Sequence, residues 1–158
     1  MDKKIEFARS LVKGKIAETI FAQMFRDAGH FTVLEFGYEK IIPELVQQGY
    51  GESNKMVETL RTAPDFAVID QGTKEVRLIE VKYRSSLISK YILNDANKMY
   101  RSWSPSYLFI ATPDGFYFDE ISSIIKNEGK IKSLDYPQIN SDLQYKYLQI
   151  LKDFEKNK

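Results

Sequence analysis

Residues 61–84 read RTAPDFAVIDQGTKEVRLIEVKYR, and the pairing that this stretch dictates decides the fold. Residues 65–70 (DFAVID) and 76–84 (VRLIEVKYR) are rich in β-branched and aromatic side chains, which suits strands. Gln71-Gly72-Thr73-Lys74 between them is a turn signal. A four-residue turn sets Asp70 opposite Glu75, and counting back sets Asp65 opposite Glu80. Directly opposed residues share a sheet face with Cβ atoms about 5 Å apart. Side chains alternate along a strand, so Lys82 joins Glu80 on that face. Asp65, Glu80 and Lys82 therefore converge at one end of the hairpin, with Ala67, Ile69, Val76 and Leu78 on the same face. Phe66, Val68, Ile79, Val81 and Tyr83 take the other face, so the spacing predicts central strands covered on both sides. A one-residue slip would send Glu80 and Lys82 to the face opposite Asp65.

Two carboxylates side by side among apolar residues are costly unless a cation or proton compensates. Lys82 supplies one positive charge, and a divalent metal would compensate more fully. Mg²⁺ suits such a pair, because it takes one or two protein carboxylates and leaves its other positions to water and phosphate. A structural Asp/Glu/Lys cluster on an exposed hairpin face is the competing reading. Upstream, residues 3–28 have the period of an amphipathic helix, with Gly29 as its stop. Ile5, Ala8, Leu11, Val12, Ile16, Ala17, Ile20, Phe21, Met24 and Phe25 form its apolar stripe. Lys15, Thr19, Gln23, Arg26 and Asp27 form its polar side. Glu18 falls inside the apolar stripe, between Leu11 and Phe25. It is either a stripe-edge residue that reaches solvent or a third acidic group directed at Asp65 and Glu80.

Glu18, Pro64-Asp65 and Glu80-x-Lys82, with a helix ahead of the hairpin, resemble the PD-(D/E)XK nuclease superfamily. The likeness is closest to small members such as archaeal Holliday junction resolvases and Mrr-like restriction endonucleases. It covers roughly residues 10–112 and is strongest over 61–84. The resemblance implies an α/β fold with a restriction-endonuclease-like core: a central mixed β-sheet flanked by helices, with the N-terminal helix preceding the sheet and the site where central strands diverge. It implies a metal-dependent endonuclease that hydrolyses DNA phosphodiesters and leaves a 5′-phosphate and a 3′-hydroxyl. Carried over, Asp65 and Glu80 would bind Mg²⁺, with Mn²⁺ as a substitute. Lys82 would position or activate the attacking water, and Glu18 would assist the metal directly or through water. The alternative is a non-catalytic nucleic-acid-binding module or subunit that keeps the nuclease-like fold. A third possibility is an unrelated α/β domain in which the signature is accidental.

The remaining sequence bounds these readings. A chain of 158 residues, 43% hydrophobic and 13% aromatic, is long enough for a single domain with a proper core. It has no cysteine, which excludes disulfides and thiolate zinc ligation, and a single histidine, His30, placed in a turn. The start lacks an apolar secretory segment and no run approaches membrane-spanning length, so a cytoplasmic protein is expected. The net charge of +1 is no footprint of a chain that coats nucleic acid through charge alone. Positive charge does gather after the acidic pair, at Arg84, Lys90, Lys98 and Arg101, as candidate nucleic-acid contacts. Tyr83, Tyr91, Tyr100 and Trp103 are interleaved with them, to stack on bases or to pack the core.

Residues 31–38 (FTVLEFGY) read as the first strand, and 39–63 as an insertion with short helices near 42–48 and 53–61. Glu35 and Glu39 add acidity with no tie to the metal. Residues 89–102 read as a helix, 106–112 as a buried strand, 114–115 as a turn, 116–121 as a strand and 122–127 as a short helix. Residues 138–154 form a closing helix with Leu143, Tyr147, Ile150, Leu151 and Phe154 on one face, packing the core or a homodimer partner. The tail, 155–158, should fray.

Overall fold

The turn at 71–74 does what its composition asks. Asp70 Oδ1 accepts from the backbone N–H of Gly72 at 2.8 Å and of Thr73 at 3.1 Å. Lys74 takes a left-handed φ of 64°, and its N–H bonds to the Asp70 carbonyl at 2.7 Å. His30 Nε2 lies 2.9 Å from the same Asp70 oxygen. A Cβ at position 72 would come within 3.0 Å of the His30 ring, so glycine fits there. The N–H groups of Thr73 and Gly72, with His30 beside them, hold the Asp70 carboxyl below its ordinary range.

The structure, a computed structural model, describes residues 2–37, 59 and 62–156. In it the turn locks β2 (Phe66–Asp70) antiparallel to β3 (Val76–Tyr83), with Phe66 opposite Ile79 and Ile69 opposite Val76. That is the register expected of a four-residue turn. β1 (Phe31–Glu35) pairs antiparallel with β2 on its other edge. β4 (Tyr107–Thr112) runs parallel to β3, and β5 (Gly115–Glu120) antiparallel to β4. The result is an α/β fold with a five-stranded mixed open sheet in the order β1-β2-β3-β4-β5. A parallel pair needs a crossover, and α2 (Ser89–Ser102) provides it. α1 (Lys3–Asp27) precedes the sheet, α3 (Ile121–Lys126) follows β5, and α4 (Ser141–Lys156) closes the chain.

Alternation along the strands divides the core in two. On one face, Phe21, Met24 and Phe25 of α1 and Leu151 of α4 bury against Phe66, Val68, Ile79, Val81 and Phe109. On the other, Ile92, Ala96 and Met99 of α2, with Ile121 and Ile124 of α3, bury against Leu108 and Ile110. Asp2 caps α1 by accepting from Lys4 N–H at 2.9 Å, and Gly29 stops it with a φ of 73°.

Four expectations need correction. The apolar stripe of α1 does not bury along its whole length: Ile5, Leu11 and Val12 are 46–58% exposed, because the sheet lies only under the second half of the helix. The face carrying Val76 is not covered like a central strand. Val76 is 62% exposed and Ala67, Ile69 and Leu78 are half-buried, since α2 and α3 pack on Leu108 and Ile110 of β4 instead. On α4, Leu148 packs toward the core while Ile150 faces outward. The helix also runs on to Lys156, with Glu155 tied down by the Tyr83 hydroxyl rather than frayed. The first strand is described to Glu35. Tyr38, most of the 39–63 insertion with its two expected helices, Glu39 and residues 157–158 lie outside the described residues.

Candidate functional site

β3 outruns β2. The ladder between them ends with Phe66 opposite Ile79, while β3 continues to Tyr83 beside β4 alone. The next residue back along β2, Pro64-Asp65, explains the end: proline has no N–H to give a ladder. The Val81 N–H is taken by the Asp65 side chain instead, Oδ2 accepting at 2.8 Å. The Asp65 carbonyl accepts from Phe36 N–H at 3.0 Å and Gly37 N–H at 3.3 Å. Backbone and side chain of Asp65 are thus pinned from the β1 side and the β3 side, at the gap where the sheet opens.

Glu80 stands on the same face across the gap, close enough for its charge to act on the Asp65 carboxyl. Burial first, and then the charge of Glu80, push the Asp65 carboxyl up to about 8; the Val81 N–H and Lys82 pull against them. Lys82, two residues on, places Nζ 3.7 Å from Glu80 Oε2. Parallel pairing sets Glu80 beside Leu108 and Lys82 beside Ile110, so β4 supports both from below.

Glu18 comes from α1, which packs on the other face of the sheet. It lines the same cleft of about 520 Å³ as Asp65, Glu80 and Lys82. Its Oε2 lies 3.7 Å from Lys15 Nζ. Ser10, Lys13 and Gly14 continue the α1 wall, and Tyr83, Arg84 and Ser85 form the wall opposite. Sequence reasoning missed Ser10, Lys13 and Gly14. The signal was present, because Gly14 and Ser10 precede Glu18 by one and two helical turns. Also missed was the network at the rim: the Tyr83 hydroxyl donates to Glu155, and Lys13 Nζ lies 3.8 Å from the Glu155 carboxylate. Burial and Glu155 together raise the Tyr83 phenol above its ordinary range.

The candidate nucleic-acid contacts divide. Arg84 lines the cleft, but its guanidinium is paired with Asp95 and with the Tyr83 carbonyl. Lys90, Lys98 and Arg101 are exposed along α2, away from the cleft lining. Tyr91 and Tyr100 are exposed, whereas Trp103 packs edge-on against Phe36 and donates to the Thr59 carbonyl at 3.0 Å. Glu35 borders a smaller cavity of about 200 Å³ that also meets Glu18.

Among the described residues, no group of three or more His, Cys, Asp or Glu side chains is assembled to hold a metal ion. The donor set at the gap is the Asp65 and Glu80 carboxyls, with Glu18 lining the same cleft. Such a pair fits a hard divalent cation, which offsets the repulsion between the carboxylates and needs only one or two of them. No helix among the described residues is long and apolar enough to cross a membrane. Compared with known proteins, the chain matches no family model, and no curated protein matches it.

Proposed function

We propose that the chain is a metal-dependent nuclease of the PD-(D/E)XK type, hydrolysing phosphodiester bonds of DNA. One observation carries the reading: Asp65, Glu80, Lys82 and Glu18 line one cleft where β3 runs on past the end of β2, with Lys82 Nζ 3.7 Å from Glu80 Oε2. A helix ahead of a mixed sheet, with the site where β3 outruns β2, supports a restriction-endonuclease-like core. Asp65, Glu80 and Lys82 belong to neither apolar core.

Asp65 and Glu80 would hold Mg²⁺ or Mn²⁺, and Glu18 would reach it directly or through water. When bound, the cation supplies an acidified water and neutralises charge on the phosphoryl oxygens. Lys82 presents its ammonium to the same space, where it orients the attacking water and stabilises negative charge building at phosphorus. Val81 N–H fixes the Asp65 carboxylate in place, and the β4 register fixes Glu80 and Lys82, so little reorganisation accompanies the reaction.

The test is direct. Supercoiled plasmid, linear duplex, branched DNA and RNA are incubated with the protein in Mg²⁺, Mn²⁺ or chelator. Cleavage requiring the metal is expected. Asp65→Ala, Glu80→Ala and Lys82→Ala should each abolish it in a folded protein, with Lys82→Ala costing at least ~10²-fold. Cleavage indifferent to chelator would overturn the mechanism, and an intact rate in any folded variant removes that residue from it.

A further inference from the structure

Gly14 stands inside α1, which continues to Asp27, at a position where alanine is the better helix former. No turn requires the glycine. No packing requires it either: a Cβ built there meets no heavy atom within 4 Å. Its open side lines the cleft, beside Lys13 and one turn before Glu18. A glycine that neither bends the chain nor accommodates a neighbour leaves room for something outside the chain. Lys13, next to it, has Nζ 3.8 Å from the Glu155 carboxylate and 5.2 Å from the centre of the Tyr83 ring. Because the Tyr83 hydroxyl also donates to Glu155, that carboxylate keeps a hydrogen bond when Lys13 turns to an anion in the cleft. On the other wall, Lys82 offers its charge to the same space.

We propose that the Lys13–Gly14 wall of α1 seats the sugar–phosphate backbone of the strand being cut, at a phosphate neighbouring the scissile one. The bare Gly14 backbone lets the strand lie against the helix, and Lys13 neutralises its phosphate. Both are positioning residues, and the substrate runs between α1 and the end of β3. The proposal rests on the nuclease reading and adds a path for the substrate.

Gly14→Ala, Gly14→Leu and Lys13→Gln test it, read by steady-state cleavage of a fluorescein-labelled duplex in Mn²⁺, by calorimetry with Mn²⁺ alone and by thermal melting. Gly14→Ala should melt at or above the wild-type temperature and bind Mn²⁺ as the wild type does. KM should rise several-fold in Gly14→Ala and roughly tenfold or more in Gly14→Leu, with kcat moving less. Lys13→Gln should reduce the slope of log affinity against log salt by about one. A wild-type KM in Gly14→Leu overturns the proposal. So does a Gly14→Ala variant whose weaker binding accompanies a lower melting temperature or lost Mn²⁺ binding, because the glycine is then structural. A wild-type chain that cuts no nucleic acid overturns the nuclease reading and this proposal together, whereas intact cleavage with indifferent Gly14 variants overturns this one alone.

Discussion

Burial makes the Asp65 carboxyl hold its proton well above the ordinary range. Its ordinary value is 3.8, and in the fold it rises to about 8, chiefly through burial and then through Glu80. Between those values the metal-free folded state binds a proton that the unfolded chain releases, so stability falls as pH rises through that window. In chelator, the melting temperature should therefore drop from about pH 5 to about pH 8, and Asp65→Asn should flatten that slope. Added Mn²⁺ should restore the loss at the alkaline end by binding only the folded state. A scan of melting temperature against pH, with and without chelator, checks all three. The pairing of Asp65 with Glu80 was legible because turn length fixes register. The role of Val81 N–H was not, because it depends on where the ladder stops. Arg84 lines the cleft as a candidate substrate contact, and nothing in the spacing of residues 84 and 95 announces its pair with Asp95.

At the scale of the elements, α1 has two halves with different energetics. Phe21 is fully buried against Phe25, Phe66 and Phe109, whereas Phe7 is 66% exposed. Phe21→Ala should cost about 3–5 kcal/mol, while Phe7→Ala should stay within about 0.5 kcal/mol; urea unfolding monitored by far-ultraviolet dichroism measures both. Apolar residues three and four apart predicted the helix, although the stripe they make in the first half is turned from the one in the second. Their spacing could not predict which turns are covered, since that depends on how far the sheet extends beneath. Boundaries marked by strong punctuation were legible: Gly29 ends α1, Pro105 and Pro113 flank β4, and α2 spans the expected residues 89–102. The uncovered face of Val76 was not legible, because apolar composition records what a strand tolerates rather than what lies over it.

For the molecule as a whole, α4 joins the far end of the chain to the first helix and the sheet. Leu151 is fully buried in the α1 face of the core, and Glu155 links α4 to Tyr83 and Lys13 at the cleft. Leu151→Ala should cost about 2–5 kcal/mol, and a chain ending at Asn140 should lose its cooperative thermal transition; calorimetric melting distinguishes these from wild type. Such long-range closure is the part of the fold that a local reading handles least well. The sequence supplies an apolar face on α4 but no indication of its partner, and the expectation of a loose tail failed at Glu155 for that reason.

The junction of α4 with the cleft rim also offers a practical handle. The chain contains no cysteine, and Lys152 lies on α4 one helical turn before Glu155, on the same side of the helix. A lone thiol introduced at that position would carry an environment-sensitive dye to the edge of the cavity without altering any group that borders it. Its emission would then follow ligand entry in real time, giving a spectroscopic readout that is independent of bond cleavage.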